Sequence, residues 1–193
     1  HMAQELGRIT RPSASQYKGR RKLLMVPLLY GPSAESKDAL TILQTYWDQM
    51  QTQVTSLQSA LGGLNHIYHE SLTEGGDAGL TQLEARDQRS HGFIKTKCAE
   101  GADLEATESA ELLAETLDLQ RCLMMPLVSE KVALQLQEWF ASSNRERYEH
   151  IARQIDETLA PDQLGLLMIS ERHQVQFPQD IEVFYVSPPA LDE

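Results

Sequence analysis

Residues 164–186 read LGLLMISERHQVQFPQDIEVFYV. Each end is a short apolar run, Leu164–Ile169 and Ile181–Val186, of the kind that fills a strand buried on both faces. Only residues 170–180 separate the two runs. A crossover between parallel strands normally takes a dozen or more residues and a helix, so the last strand is expected to run antiparallel to its predecessor, with 174–177 paired between them.

Upstream, the pattern alternates. Residues 23–30, LLMVPLLY, predict a buried first strand closed by Gly31-Pro32; Pro27 lacks a ladder donor and implies an edge position or a bulge. From Ser33 to Leu61 the spacing of Leu40, Leu43, Trp47, Met50, Val54, Leu57 and Leu61 predicts a long amphipathic helix that Gly62-Gly63 stops. Residues 64–69 read as a second strand, and Ser71 with Glu74 as a capping box opening a helix that is interrupted near 90–92. A weak third strand at 102–107, a helix from 109 to 121 broken by Pro126, and two helices near 129–141 and 144–159 complete the order. Strands alternating with helices predict an α/β three-layer sandwich: a mixed, mostly parallel sheet with an antiparallel C-terminal strand and helices on both faces.

Composition sets the frame. The 193 residues are 41% hydrophobic and 23% charged, ordinary for a globular chain, and suit one α/β domain at 23–193 behind a basic arm at 1–22. His1-Met2 reads as a cloning remnant. No apolar run approaches the ~20 residues of a membrane span, and no secretory apolar segment stands at the start, so no membrane contact and a cytoplasmic location are expected. Cys98 and Cys122 lie outside any paired spacing and read as reduced thiols.

The net charge of −11 is uneven. Residues 1–22 carry Arg8, Arg11, Lys18, Arg20, Arg21 and Lys22 against Glu5 alone, about +5, which leaves about −16 on the body. The six cations, with Tyr17 as a stacking ring, are candidates for nucleic-acid binding. The acidic body disfavours that partner, and contact with the chain's own surface or another protein ranks above it. Self-association through the helix at 33–61 is a second expectation, ranked below packing of that helix on its own sheet, with Tyr46, Trp47, Trp139 and Phe140 as the aromatic markers that decide between them.

Parallel sheets gather the loops after their strands on one rim, where ligands bind. Read together, those exits offer His69, Glu70, Glu108 and His173 as candidate acid/base or metal-binding groups, and Ser33, Thr107, Glu171 and Arg172 as ligand-binding ones. Capping of helix N-termini explains the same residue types and is the commoner reason for them. No spacing is diagnostic of a metal or a cofactor, and neither a phosphate loop nor a nucleophile elbow is present. His66, His91 and His150 read as surface or internally satisfied histidines. A ligand-binding or protein-interaction module is therefore expected first, a hydrolase or lyase at the rim second, and a nucleic-acid-associated factor third.

Overall fold

The computed structural model describes residues 17–29 and 37–192. Five strands, β1 (Arg21–Pro27), β2 (His66–His69), β3 (Asp103–Leu104), β4 (Leu164–Ile169) and β5 (Ile181–Tyr185), form one sheet in the order β3-β2-β4-β1-β5. Every pairing is parallel, so this is an α/β fold with an all-parallel sheet.

The expected antiparallel C-terminal strand is thereby corrected. β5 does not adjoin β4 at all; β1 lies between them and pairs Met25 with both Leu167 and Tyr185. A connection from the end of β4 to the start of β5 must return one strand length and step across two strand spacings, roughly 20 Å in all. Eleven extended residues reach about 36 Å, so a loop without a helix suffices for the crossover. Val175 and Phe177 of that loop pack into the core and cover the sheet in the helix's place, and 174–177 forms no strand.

Pro27 also differs from expectation. It closes a central strand at a point where the pairing with β5 has already ended at Met25 and Tyr185, so no ladder bond is lost there, while toward β4 Leu28 N–H bonds Ile169 O at 2.8 Å. The boundary drawn at residue 22 falls inside β1, since Arg21 and Lys22 are its first two residues.

Each face of the sheet carries its own core. On one, Leu24, Val26, Ile67, Leu166 and Met168 meet α1 (Lys37–Leu61), α2 (Gly76–Arg86) and α3 (Gln88–Ala99) through Tyr46, Trp47, Met50, Leu83 and Ile94. On the other, Leu23, Met25, Tyr68, Leu167 and Ile169 meet Tyr148, Ile151 and Ile155 of α5 (Glu130–Thr158). The alternation along β1 and β4 is the period of two that splits a strand between two cores. Tyr46 and Trp47 are buried here, and the Tyr46 hydroxyl donates to Pro27 O. The markers of self-association on α1 are thus spent on its own sheet.

Two helix boundaries shift for local reasons. The capping box at Ser71 does not form: Ser71 is left-handed at φ 76°, and α2 begins only after Gly75. The break in the next helix falls at Asp87, whose carboxylate accepts from Ser90 N–H, so 90–92 lies within α3.

The pair expected at 129–141 and 144–159 is one helix, α5, of 29 residues. Ser142-Ser143-Asn144 contains neither glycine nor proline, and Ser143 stays in the helix with its hydroxyl 2.9 Å from that of Thr116 on α4 (Ala110–Met124). From residue 117 to 142 no residue of α4, α5 or their turn is buried. This stretch is a two-helix hairpin standing clear of the sheet.

Candidate functional site at the strand exits

Because all strands run the same way, their downstream loops do share one rim. β2 delivers His69 and Glu70 there, the segment after β3 delivers Thr107 and Glu108, and the loop after β4 begins at Ser170. Glu70 N–H donates to Met168 O at 2.8 Å, which seats it beside β4. Leu72 O accepts from both Thr107 and Glu108 N–H, drawing the β3 exit against the β2 exit.

The centre of the rim is an arginine that no strand supplies. Arg147 on α5 donates from Nε to both oxygens of Glu108, at 2.9 and 2.7 Å, and from Nη2 to Glu70 Oε1 at 2.8 Å. Glu70 Oε2 accepts from Ser170 N–H at 3.1 Å. The Glu108 side chain is 0% exposed, and those of Glu70 and Arg147 nearly so. Burial pushes the Glu108 carboxyl above its ordinary range, with Arg147 only partly offsetting this. Burial works to lower Arg147 as well, but its two carboxylate partners outweigh that and hold it above the ordinary arginine value.

His69 is built into the same cluster. Its backbone N–H donates to Thr107 Oγ1 at 3.1 Å and its Nδ1 donates to Glu70 O, which leaves Nε2 facing Asp87 Oδ2 at 3.7 Å. Nε2 is buried and has no hydrogen-bond partner. Asp87 is raised by burial and lowered more strongly by the facing imidazole and by Ser90, which together bring it to about 2.

An open crevice of about 770 Å³ lies over this cluster, lined by Glu70, Ser71, Arg86, Phe140, Asn144 and Arg147 among others. His173 stands on the loop after β4 and opens on a neighbouring groove of about 750 Å³ beside Arg145, Tyr148 and Gln174. Its Nδ1 accepts from Val175 N–H at 3.2 Å, its ring meets Phe177 edge-on, and burial lowers it against the opposing pull of Glu70. His69, Glu70, Glu108 and Thr107 therefore come together, and His173 sits beside them facing another space. Glu171 and Arg172 are exposed on the loop, and Ser33 lies outside the described residues.

The basic residues divide in the same manner. Arg20 pairs with Glu182. Arg21 is buried, with both oxygens of Asp180 at 2.7 Å and the carbonyls of Asp156 and Leu159 at 3.0 and 3.2 Å. Lys22 is buried and reaches Asp162 O at 3.4 Å. Tyr17 packs edge-on against Phe184. Lys18 is exposed, and Arg8 and Arg11 lie outside the described residues.

Reading strand exits alone could not reveal Arg147 or Asp87. Arg147 sits in the run Arg145-Glu146-Arg147, which resembles a solvated face; the available clue was its place directly before the apolar stripe Tyr148, Ile151 and Ile155. Both free thiols lie on helices, Cys98 partly buried on α3 and Cys122 exposed on α4. No helix among the described residues is long and apolar enough to cross a membrane. Compared with family models, curated proteins and solved structures, the chain finds no match.

Proposed function

We propose that this chain is a protein-interaction module whose docking element is the hairpin of α4 and α5, and that its occupant is a second copy of the chain. The observation that carries the reading is the hairpin's surface. Met124 is 79% exposed, Met125 64%, Val128 102% and Trp139 56%, with Leu117, Leu127, Val132 and Leu134 also open to solvent. Singly exposed apolar residues are ordinary on a protein surface, but a run of them on one projecting element marks a contact site. Tryptophan and methionine are the residues enriched at such contacts.

Charge favours a second copy. Residues 117–139 hold Asp118, Glu130 and Glu138 against Arg121 and Lys131, a net of −1 on a chain of −11. The hairpin is thus a near-neutral stretch of an acidic molecule, and its mixed signs allow a two-fold partner to set cation against anion. Two hairpins packed face to face make a four-helix bundle, which gives each helix apolar neighbours on two sides.

The rim supports this division of labour. Glu70 and Glu108 are both engaged by Arg147, so this cluster anchors α5 to the sheet rather than presenting carboxylates to a substrate. Sedimentation velocity on the full chain tests the proposal. A dimer is expected at about 100 µM, shifted to monomer by Trp139→Ala and by Val128→Asp with unchanged circular dichroism, because neither side chain is buried. A monomer at that concentration, or a dimer indifferent to both substitutions, refutes it.

A further inference from the structure

His66, Asp103 and Glu105 stand at the start of β2, in β3 and directly after β3, and none of their side chains belongs to the rim cluster or the hairpin. Parallel pairing sets His66 opposite Asp103, and Glu105 follows two residues later on the same side. The register is fixed by Asp103 N–H to Asn65 O and Glu105 N–H to Ile67 O, both 2.9 Å. The three side chains bring one ligand atom each to within 4.8 Å of one another.

The tautomer of His66 decides what this cluster wants. Gln163 Oε1 accepts from the Ala160 backbone N–H at 2.8 Å, so the amide is oriented with its oxygen toward that donor. The same oxygen lies 2.8 Å from His66 Nε2, which must therefore carry the proton. In a neutral ring Nδ1 is then a lone pair, and it lies 2.9 Å from Glu105 Oε1, another lone-pair atom. Two acceptors at that distance need a proton, on the ring or on the carboxyl, or a metal ion between or beside them.

We propose that His66 Nδ1, Glu105 and Asp103 bind a divalent first-row transition ion, zinc or manganese in type. One imidazole with two carboxylates is a donor set for such ions, and imidazole argues against calcium or magnesium. Metal–donor bonds of about 2.0–2.2 Å separate neighbouring ligand atoms by roughly 3.0–3.5 Å, so His66 Nδ1 and Glu105 Oε1 need open by only a few tenths of an ångström, while Asp103 closes in from within 4.8 Å. The Nε2–H bond to Gln163 is the outer contact that ligating histidines characteristically make, fixing ring orientation and tautomer. Asp103 is exposed on the edge strand and forms no ion pair among the described residues, which leaves it able to turn inward and leaves room for water on the ion. Bound there, the ion would tie the two-residue β3 to β2 and, through Gln163, to the turn before β4.

Titrating the chelator-treated full chain with Zn²⁺, Mn²⁺ or Co²⁺ alone tests this, by calorimetry and by the visible bands of Co²⁺. One ion per chain is expected, with a melting temperature raised roughly 5–10 °C when Zn²⁺ stands at a hundred times its dissociation constant. His66→Gln should abolish that binding, Gln163→Ala should weaken it about 10–100-fold, and His150→Ala should leave it unchanged. Asp103→Asn, at an exposed side chain, should weaken it at least tenfold with the fold intact. Absence of stoichiometric binding, or an affinity the same in Asp103→Asn and His66→Gln as in the parent chain, overturns the site in favour of a protonated His66 paired with Glu105.

Discussion

Replacing Arg147 with methionine removes one cation from between two carboxylates and keeps most of its stem. The parent makes three charge-assisted bonds of 2.7–2.9 Å to Glu70 and Glu108, both of them shielded from solvent. Stranding buried charge in this way costs about 3–5 kcal/mol, whereas the intact pair is worth far less than that over an apolar substitute. In a domain of this size the loss is a melting temperature lower by roughly 6–20 °C. Its pH dependence has a definite sign. Glu108 is held above its ordinary range by burial even with Arg147 present, and without the cation it rises further. A carboxyl raised in the folded state adds stability below its unfolded pKa and forfeits it as the pH climbs through the folded one. The deficit of Arg147→Met is therefore largest near pH 7 and narrows as the pH falls toward about 5. Urea unfolding of parent and variant across that range measures it. A deficit under about 1 kcal/mol at neutral pH, or one that acidification leaves unchanged, would refute the clamp.

Three further outcomes follow from local geometry. A Cβ on Gly79 would stand 2.5 Å from Glu74 O and 3.0 Å from Leu104 Cδ2, so Gly79→Ala should cost about 1–3 kcal/mol in chemical unfolding, while Gly92→Ala, with nothing within 4 Å, should not destabilise. Asp87, lowered to about 2, contributes stability above its unfolded value that disappears as the pH drops through the folded one, so Asp87→Asn should flatten the acid limb of the stability profile between about pH 4 and 2. Cys122 is exposed, while Cys98 is partly buried with its thiol pushed up by burial; a disulfide reagent at pH 8 should label Cys122 first and Cys98 much more slowly, and equal rates would contradict the placement.

The runs at 164–169 and 181–186 were readable as strands because they are short and, apart from Glu182 and Gly165, wholly apolar, and β4 and β5 cover them but for Val186. Their relative direction was not, since direction depends on which strand lies between them, and β1 enters from more than 130 residues earlier. β3 spans two residues and owes its place to pairing with β2, not to any propensity of its own. Among the rim residues, His69, Glu70 and Glu108 were legible as strand exits. Their partners Arg147 and Asp87 were not, because a helix face and a helix cap meet that rim only through packing. His66 reads from the sequence as a surface or internally satisfied histidine, and only packing brings its two nitrogens against Gln163 and Glu105.

One consequence of α5 concerns mechanics. Its 29 residues run about 43 Å with neither proline nor glycine, its first half on the open hairpin and its second half in the core. A shaft without a joint moves as a whole. Any tilt imposed at Trp139 by a neighbouring molecule must reappear at Arg147, two turns further along, where the carboxylates of Glu70 and Glu108 form the fulcrum.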